Sequence, residues 1–367
     1  MFLNLRFTNN QLKDFKIVDI CKLKQGNQYD LKQQFTEEKS DLKRFIRIID
    51  YTQKTNDIRY VYSNGSENYV DCTDVVVVRY GASAGYVGRG INGIIANNLF
   101  TIRPINSALL NKSYLYHYLN APVIQKQLNN TQSSGMPALN FQTINNLHIL
   151  LPEYQEQRQI AVFLDKIDER IQTQIKIIDD YNSLKMGIYN CMFKENYADY
   201  KLKQLAYIVK GDQINNDQLL SNGSYYMMNG GASPSGYLDS YNVSENTISI
   251  SEGGNSCGYV QFNSSPFWSG GHCYTIQNVN SALIENKYLY HYLKYKEKEI
   301  MNLRIGTGLP NIQKKDLENF TILVPSLLIQ RKNLALFEML DEKISILNEE
   351  LANLQKQKKY LLCNMFI

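Results

Sequence analysis

The chain has none of the short motifs that mark ATP-binding, zinc-protease or amino-methyltransferase sites. Residues 253–258 have the glycine spacing of a phosphate-binding loop, but Tyr259 stands where that loop needs a lysine. Neither a His-Glu-x-x-His motif nor an Asn-Pro-Pro-aromatic segment occurs in the 367 residues. We therefore expect a chain that is not an enzyme on its own and that uses no cofactor.

Cysteine motifs and long apolar runs are also missing. The six cysteines show no Cys-x-x-Cys spacing, so we expect reduced thiols and no metal site. The run of valines at residues 75–78 is far too short to cross a membrane and is typical of a buried strand. The N-terminal segment lacks the shape of a signal peptide. These absences favour a cytoplasmic protein.

Positive charge is concentrated in the first part of the chain. Residues 1–150 contain 17 Lys and Arg against 11 Asp and Glu, whereas residues 200–324 contain ten of each sign. The excess in the first region indicates a polyanionic partner. If the second region binds the same partner, it must rely on local patches and polar side chains.

Residues 152–193 and 325–367 each predict one long helix. In the first, apolar residues recur every three or four positions from Ile160 to Met192. In the second, a heptad-like seam runs from Phe337 to Met365, with Lys358 in its one polar slot. About 40 residues give a helix on the order of 60 Å, the length of a spacer or a coiled-coil arm.

The two helices belong to a tandem repeat. The matches at one common offset are Gln157-Arg158 with Gln330-Arg331, Asp168 with Asp341, and Met192-Phe193 with Met365-Phe366. The segment SALLNKSYLYHYLN from Ser107 also matches SALIENKYLYHYLK from Ser281. The chain is therefore expected to read globule, long helix, globule, long helix.

Each globule is predicted to contain short strands and a helix. Strand-like runs lie at residues 45–49, 58–62, 74–79 and 99–102, and again at 225–228, 247–251, 258–262 and 273–277, with Gly, Asn and Ser between them. The YLYHYL segments predict a helix packed on a sheet, with the tyrosines in the core. His117 and His291 in these segments are interpreted as structural histidines.

Glycine-rich loops after strands are the candidate binding elements. The loop at 79–89 and its copy at 251–260 share Gly-Tyr-Val but differ in the polar residues before it. An ordinary hairpin turn and a base-reading loop both fit this pattern. On the second interpretation, the candidate DNA-binding residues are Arg79, Tyr80, Ser83, Arg89 and Ser134 in the first globule, and Asn255, Ser256, Arg304 and Thr307 in the second.

The whole organisation resembles the DNA specificity (S) subunit of type I restriction-modification systems. The most specific segments are LPEYQEQRQIAVFLDKIDERI and its copy VPSLLIQRKNLALFEMLDEKI, together with the Met-Phe helix endings. The second copy departs from the commoner pattern, since Leu328-Ile329-Gln330 replaces Gln155-Glu156-Gln157.

This resemblance implies an α+β fold. Two mixed α/β target recognition domains, at 1–151 and 196–324, would be separated by two long antiparallel coiled-coil helices, at 152–195 and 325–367, in a pseudo-two-fold tandem repeat. Each domain would bind one half of a split site in double-stranded DNA. The helices would carry the methyltransferase subunits, which we expect to number two, and the complex would also include restriction subunits. The partner-binding residues on this reading are Gln157, Arg158, Asp168, Gln330, Arg331 and Asp341.

Two other classes of protein remain open at this point. One is a coiled-coil scaffold without a DNA role. The other is the specificity subunit of a type II enzyme, in which cleavage and methylation lie in one partner chain.

Overall fold

The computed structural model describes residues 12–53, 55–129, 137–193, 197–306, 308 and 310–366. Its contacts divide the chain into unit 1, residues 1–175 with 349–367, and unit 2, residues 176–348. Each unit thus combines one globule with part of both long helices. Among the described residues, no helix is long and apolar enough to cross a membrane.

Unit 1 contains most of the first repeat. Its elements are β1 (Lys13–Lys16), α1 (Ile17–Ile20), β2 (Cys21–Gln25), β3 (Leu42–Ile46), α2 (Ile48–Thr52), β4 (Arg59–Tyr62), β5 (Tyr69–Val70), β6 (Val75–Val78), β7 (Val87–Gly88), β8 (Gly93–Ile95), β9 (Leu99–Pro104), α3 (Lys112–Leu119), α4 (Pro122–Asn129), α5 (Phe141–Asn145), β10 (His148–Leu151) and the first part of α6 (Tyr154–Met192). The strands form sheets in the orders β2-β9-β6-β7, β4-β3-β8-β5 and β1-β10.

Unit 2 repeats this plan. Its elements are β11 (Ala198–Lys201), α7 (Leu202–Leu205), β12 (Tyr207–Lys210), β13 (Tyr225–Met228), β14 (Gly236–Leu238), β15 (Thr247–Ser251), β16 (Val260–Asn263), β17 (Trp268–Ser269), β18 (Cys273–Gln277), α8 (Asn286–Tyr295), α9 (Glu297–Met301), α10 (Lys314–Glu318), β19 (Thr321–Val324) and most of α11 (Leu327–Met365). Its sheets have the orders β12-β18-β15-β16, β14-β13-β17 and β11-β19. The mixed helix-and-strand fold and the tandem layout predicted from the sequence are confirmed.

The two predicted long helices are confirmed as α6 and α11, of 39 residues each. Within unit 1, Asp168 of α6 pairs with Lys358 of α11, and Gln174 bonds to Glu350. Residue numbers rise along one helix as they fall along the other, so the helices run antiparallel there. Lysine at position 358 is tolerated in the apolar seam because it has this carboxylate partner.

The same direction holds within unit 2. Lys185 of α6 pairs with Asp341 of α11, and the ring centres of Tyr189 and Phe337 lie 4.8 Å apart. Burial of such aromatic pairs is a large apolar contribution to stability.

Each globule packs its core against the start of one long helix and the end of the other. In unit 1, Ile160 and Leu164 of α6 lie in the same core cluster as Met365 and Phe366. In unit 2, Phe337 of α11 lies in the core with Tyr189 and Phe193 from the end of α6. The repeated Met-Phe helix ending is therefore a core anchor. Phe366, from the second repeat, completes the core of unit 1, and Phe193, from the first repeat, completes the core of unit 2.

Candidate nucleic-acid interface

The first candidate site is a set of turns at one edge of unit 1. We call residues 25–28, 79–86, 96–98 and 137–141 the first loop cluster. Its turns are held together by backbone bonds, since Gly81 N–H donates to Pro137 O and Leu139 N–H donates to Arg79 O, at 2.9 and 2.8 Å. The strand ends of β2 and β6 thus bring together side chains that are far apart in sequence.

Unit 2 has the matching set of turns. We call residues 210–213, 229–231, 251–256, 270–272, 304–306, 308 and 310–312 the second loop cluster. Gly254 N–H donates to Pro310 O at 3.1 Å, and Ile312 N–H donates to Glu252 O at 2.9 Å. Asn255 and Arg304 are exposed in this cluster, and Ser256 is half-buried.

Four backbone hydrogen bonds recur in the two clusters at equivalent positions. The pairs of bonds, donor first, are Gly26–Leu99 with Gly211–Cys273, Arg79–Asn98 with Glu252–His272, Gly81–Pro137 with Gly254–Pro310, and Leu139–Arg79 with Ile312–Glu252. The two loop clusters are therefore copies of one backbone frame, although three positions on that frame carry unlike side chains. Gln25, Arg79 and Asn98 of unit 1 correspond to Lys210, Glu252 and His272 of unit 2.

Arg79 is the cation of the first loop cluster. Its Nη1 donates to Gln25 Oε1 at 2.7 Å, and its guanidinium carbon lies 4.8 Å from the ring centre of Tyr80 and 4.5 Å from that of Phe141. Its buried Nε has no hydrogen-bond partner among the residues that the structure describes. Aromatic rings and one amide thus hold the guanidinium in place while leaving donor capacity unused.

Ser83 lies half-buried in the same turn, between β6 and β7. Residues 81–85 have the GxSxG spacing of a hydrolase elbow, but that elbow joins a strand to a helix. Here the loop joins two antiparallel strands, so the spacing does not indicate a nucleophile. Two other candidate residues, Ser134 and Thr307, lie outside the described residues.

Arg89 points to helix α6 rather than into the first loop cluster. Its guanidinium contacts Asp165 at 2.5 Å and the Ser113 hydroxyl at 2.7 Å, and its carbon lies 3.9 Å from the ring centre of Tyr116. These contacts engage the guanidinium within unit 1, so the geometry gives no support to Arg89 as a DNA-binding residue.

Asp165 is the centre of this ion-pair cluster. Bonds from His117, Arg89 and Ser113 outweigh the effect of burial and hold the pKa of the Asp165 carboxyl far below its usual range. His117 donates from Nε2 to Asp165 at 2.8 Å, while burial lowers the pKa of the imidazole. Charged residues on the face of a long helix are usually solvated, whereas Asp165 is held by partners that lie 48 to 76 positions away in the sequence.

His117, Asp165 and Asp168 lie close enough to one another to hold a metal ion. Both carboxylates already form ion pairs with basic side chains, since Arg89 pairs with Asp165 and Lys358 pairs with Asp168. The cluster therefore fits an internal ion-pair network better than a metal site.

His291 is the unit 2 counterpart of His117. Its Nδ1 accepts a hydrogen bond from the Tyr189 hydroxyl at 2.8 Å. Burial, with the nearby charges of Lys185 and Lys287, lowers its pKa to about 3, so the imidazole is neutral at physiological pH. The interpretation of both histidines as structural residues is confirmed.

Gln157 and Gln330 were expected to bind a partner, but both side chains are buried, at 1 % and 0 % exposure. Gln157 accepts from Asn111 N–H and donates to Leu109 O and Pro152 O, all at 3.0 Å. The amide thus bonds the start of α6 to the segment before α3.

Gln330 makes the same three bonds in unit 2. It accepts from Glu285 N–H at 2.8 Å and donates to Leu283 O and Pro325 O at 2.9 and 2.8 Å. These internal bonds explain the repeated glutamine as a structural residue. They give no support to a contact between either glutamine and a partner protein.

The other expected partner residues remain near the surface. Arg158 is exposed, and Arg331 is exposed while pairing with Glu285 at 2.8 Å. Asp168 and Asp341 pair with lysines of the opposite helix in their own units. Their role toward a partner stays a prediction.

Sequence reasoning missed Lys210, Glu252 and His272 in the second loop cluster. The sequence contains a signal for Glu252, because this residue stands 173 residues after Arg79, which is the offset that relates Gln157 to Gln330. Lys210 follows a different offset from Gln25, which hides the match unless the shared backbone bonds are known.

Comparison with known proteins adds the family. A family model described as the type I restriction modification DNA specificity domain matches residues 9–179 and 194–356. The two matches cover most of the chain and fall on its two repeats. The chain belongs to this family.

Relatives carry the same description. A protein of Mycoplasma pneumoniae named as a candidate type I specificity subunit is 34 % identical over 155 residues, which is 42 % of this chain and 41 % of that relative. The chain thus covers less than half the length of that relative. A type I restriction enzyme specificity subunit of Methanocaldococcus jannaschii is 23 % identical over 352 residues, covering 83 % of this chain and 80 % of that protein.

A solved structure shares the fold. The crystal structure of a type I restriction-modification S subunit from M. genitalium covers 100 % of this chain and 99 % of its own, with a TM-score of 0.67 and 20 % identity. At this identity the likeness shows the fold alone.

Proposed function

We propose that this chain is the DNA-recognition subunit of a type I restriction-modification complex and is not catalytic by itself. The first loop cluster reads one half of a split site in double-stranded DNA, and the second reads the other half. One observation carries the proposal: the two clusters repeat the same four backbone bonds but place unlike side chains on them. Two copies of one frame with different chemistry suit an asymmetric, bipartite site.

Arg79 is the strongest base-reading residue in the first loop cluster. A guanidinium can donate two hydrogen bonds to guanine O6 and N7, and this one is oriented by Tyr80, Phe141 and Gln25. The exposed Asn255 and Arg304 have the matching role in the second cluster, since an Asn amide can pair with adenine and a surface cation with guanine or phosphate.

The long helices α6 and α11 dock the methyltransferase subunits, of which we expect two, and restriction subunits join through that complex in the cytoplasm. The relatives named above are type I proteins, which favours this assembly over a type II enzyme. Arg158, Arg331, Asp168 and Asp341 remain the proposed contacts, because they lie on the helices and retain exposed surface.

Methylome sequencing tests the function. Cells that express the chain with its cognate methyltransferase subunits should methylate one bipartite, asymmetric motif with an unread gap. Arg79→Ala should relax one position in one half-site by roughly 5- to 150-fold, and Asn255→Ala should relax a position in the other half-site. Lys203→Ala is the matched control, since Lys203 lies in α7, before the strand that leads to the second loop cluster.

Two results would contradict the proposal at different levels. A continuous palindrome, or a methylation pattern that does not depend on this chain, would refute the two-unit recognition function. A bipartite motif that neither Arg79→Ala nor Asn255→Ala alters would show that other residues read the bases.

A further inference from the structure

Lys210 and Glu252 form an ion pair at the edge of the second loop cluster. Lys210 Nζ lies 2.6 Å from Glu252 Oε1. The lysine side chain is 52 % exposed, whereas the carboxylate side chain is 9 % exposed. The pair therefore presents a cation at the surface and an anion just beneath it.

Only one of the two oxygens of the Glu252 carboxylate has hydrogen-bond donors among the described residues. Tyr274 donates its hydroxyl to Oε1 at 3.0 Å, and burial raises the pKa of this phenol, which keeps it a donor. Oε2 has no hydrogen-bond partner among the described residues, and the imidazole of His272 lies 3.7 Å away. A buried carboxylate oxygen without a donor costs free energy, so a native structure that retains one calls for an explanation.

The two ionisable side chains beside the carboxylate are exposed. Lys210 contacts Oε1, the His272 imidazole lies 3.7 Å from Oε2, and both side chains are more than half exposed. Gly254 follows in the adjoining turn with φ +75°, and a side chain there would meet nothing within 4 Å. The outer side of this turn is therefore open for the approach of another molecule.

We propose that Lys210 and Glu252 together read a C·G base pair in the half-site of unit 2. In the major groove such a pair presents the N4 amino donor of cytosine beside the O6 and N7 acceptors of guanine. Glu252 Oε2 accepts from the cytosine amino group, and Lys210 donates to guanine. This inference rests on the proposed function, and it adds the base pair and the two side chains that select it.

Unit 1 supports a selective rather than a structural role for the pair. At the equivalent positions it has Gln25 and Arg79, so a cation stands where unit 2 has an anion. The backbone frame is the same in both units and therefore does not require a lysine–glutamate pair. Replacing the arginine of unit 1 with the glutamate of unit 2 on the same backbone frame changes which base edge the position can bind. Two unlike half-sites require such a difference.

The test uses the full chain with its cognate methyltransferase subunits. Glu252→Gln keeps the shape but replaces one acceptor oxygen with a donor. Lys210→Gln installs the residue that unit 1 has there. Glu297→Gln is the control, because Glu297 is also a part-buried partner of a lysine, Lys294, in the same unit.

Both test variants should relax one C·G position of the methylated motif. The preference for cytosine over the other bases should fall roughly 5- to 150-fold in each, measured by methylome sequencing and by competition between duplexes that differ only at that position. The other half-site should be unchanged, and it should be the one that Arg79→Ala alters. Glu297→Gln should leave the whole motif as in the wild type.

The outcomes separate the two proposals. If the wild type methylates a bipartite motif that Lys210→Gln and Glu252→Gln both leave intact, this inference is wrong and the proposed function stands. If the wild type specifies no such motif, the proposed function itself fails. If Glu252→Gln loses all methylation, Lys210→Gln decides: relaxation at one C·G position supports base reading, and an unaltered motif overturns it.

Discussion

The repeated buried glutamine offers a sharp test of the structure. Replacing Gln157 with leucine keeps the side chain close in size but leaves Asn111 N–H and the carbonyls of Leu109 and Pro152 without their partner. Each buried polar group without a partner costs about 1–3 kcal/mol. The added apolar surface of leucine offsets about 1–2 kcal/mol. For three such groups the opening free energy of this part of unit 1 should therefore fall by about 1–8 kcal/mol, so that the opening equilibrium changes by roughly 5-fold or more.

Amide hydrogen exchange is the appropriate assay, because a two-unit chain has no single well-defined unfolding free energy. Protection around Asn111 and the start of α6 should drop in Gln157→Leu, with little change in unit 2. Gln330→Leu should produce the mirror result around Glu285 in unit 2. Gln159→Leu, at an exposed position of α6, should change protection little. Equal effects of Gln157→Leu and Gln159→Leu would refute the bonding argument.

Three further predictions concern charge, packing and spacing. Because the folded-state pKa of Asp165 is depressed, the stability that this carboxylate contributes should be present at neutral pH and be lost as the pH falls below about 4. The difference in melting temperature between the wild type and Asp165→Asn should therefore shrink from pH 7 to pH 3. A constant difference would contradict this. Ile171→Asp places an unpaired charge at a buried seam position and should destabilise unit 1 by about 3–5 kcal/mol in denaturant titrations monitored there, whereas the exposed Gln172→Asp should not. Inserting four residues after Ile178, with a matching insertion after Asn348, should lengthen the unread gap in the methylated motif by about one or two base pairs, at ~1.5 Å per residue and ~3.4 Å per base pair; altered half-sites with an unaltered gap would count against the helices as the spacer.

The long helices and the repeat could be predicted from the sequence because both are local signals. Apolar residues three or four apart identified α6 and α11, and the constant offset identified the tandem copy without any structure. Most strand positions were also predicted well, since β15 and β18 match the expected runs 247–251 and 273–277, but the run 45–49 was wrong at its end, where Ile48 and Ile49 begin helix α2. In each case the residues that define the element lie within the element.

The ion-pair cluster and the loop clusters depend on contacts that the sequence does not display. Asp165 meets an arginine 76 positions away, and Asp168 meets a lysine 190 positions away. Charged residues on a helix are usually solvated, so nothing local indicated that these two carboxylates are held inside a network. Arg79 could be proposed from the pattern of strand, glycine and cation. Its equivalent Glu252 stands at the repeat offset of 173 residues, but the shared backbone bonds are needed to show that the two residues occupy one position of the frame.

The aromatic anchor near the end of the chain has a consequence for the order of synthesis. The ring of Phe366 lies 5.2 Å from that of Tyr114 in the core of unit 1, yet it is made some 250 residues later. Unit 2 is one continuous stretch, residues 176–348, and all of it has been translated before this anchor exists. The globule of unit 1 therefore keeps an uncovered apolar surface until the residues after 348 have been made. A chain whose translation stops after residue 348 would have a complete core in unit 2 and an open core in unit 1. Proteases and chaperones of the cell can recognise such an open core.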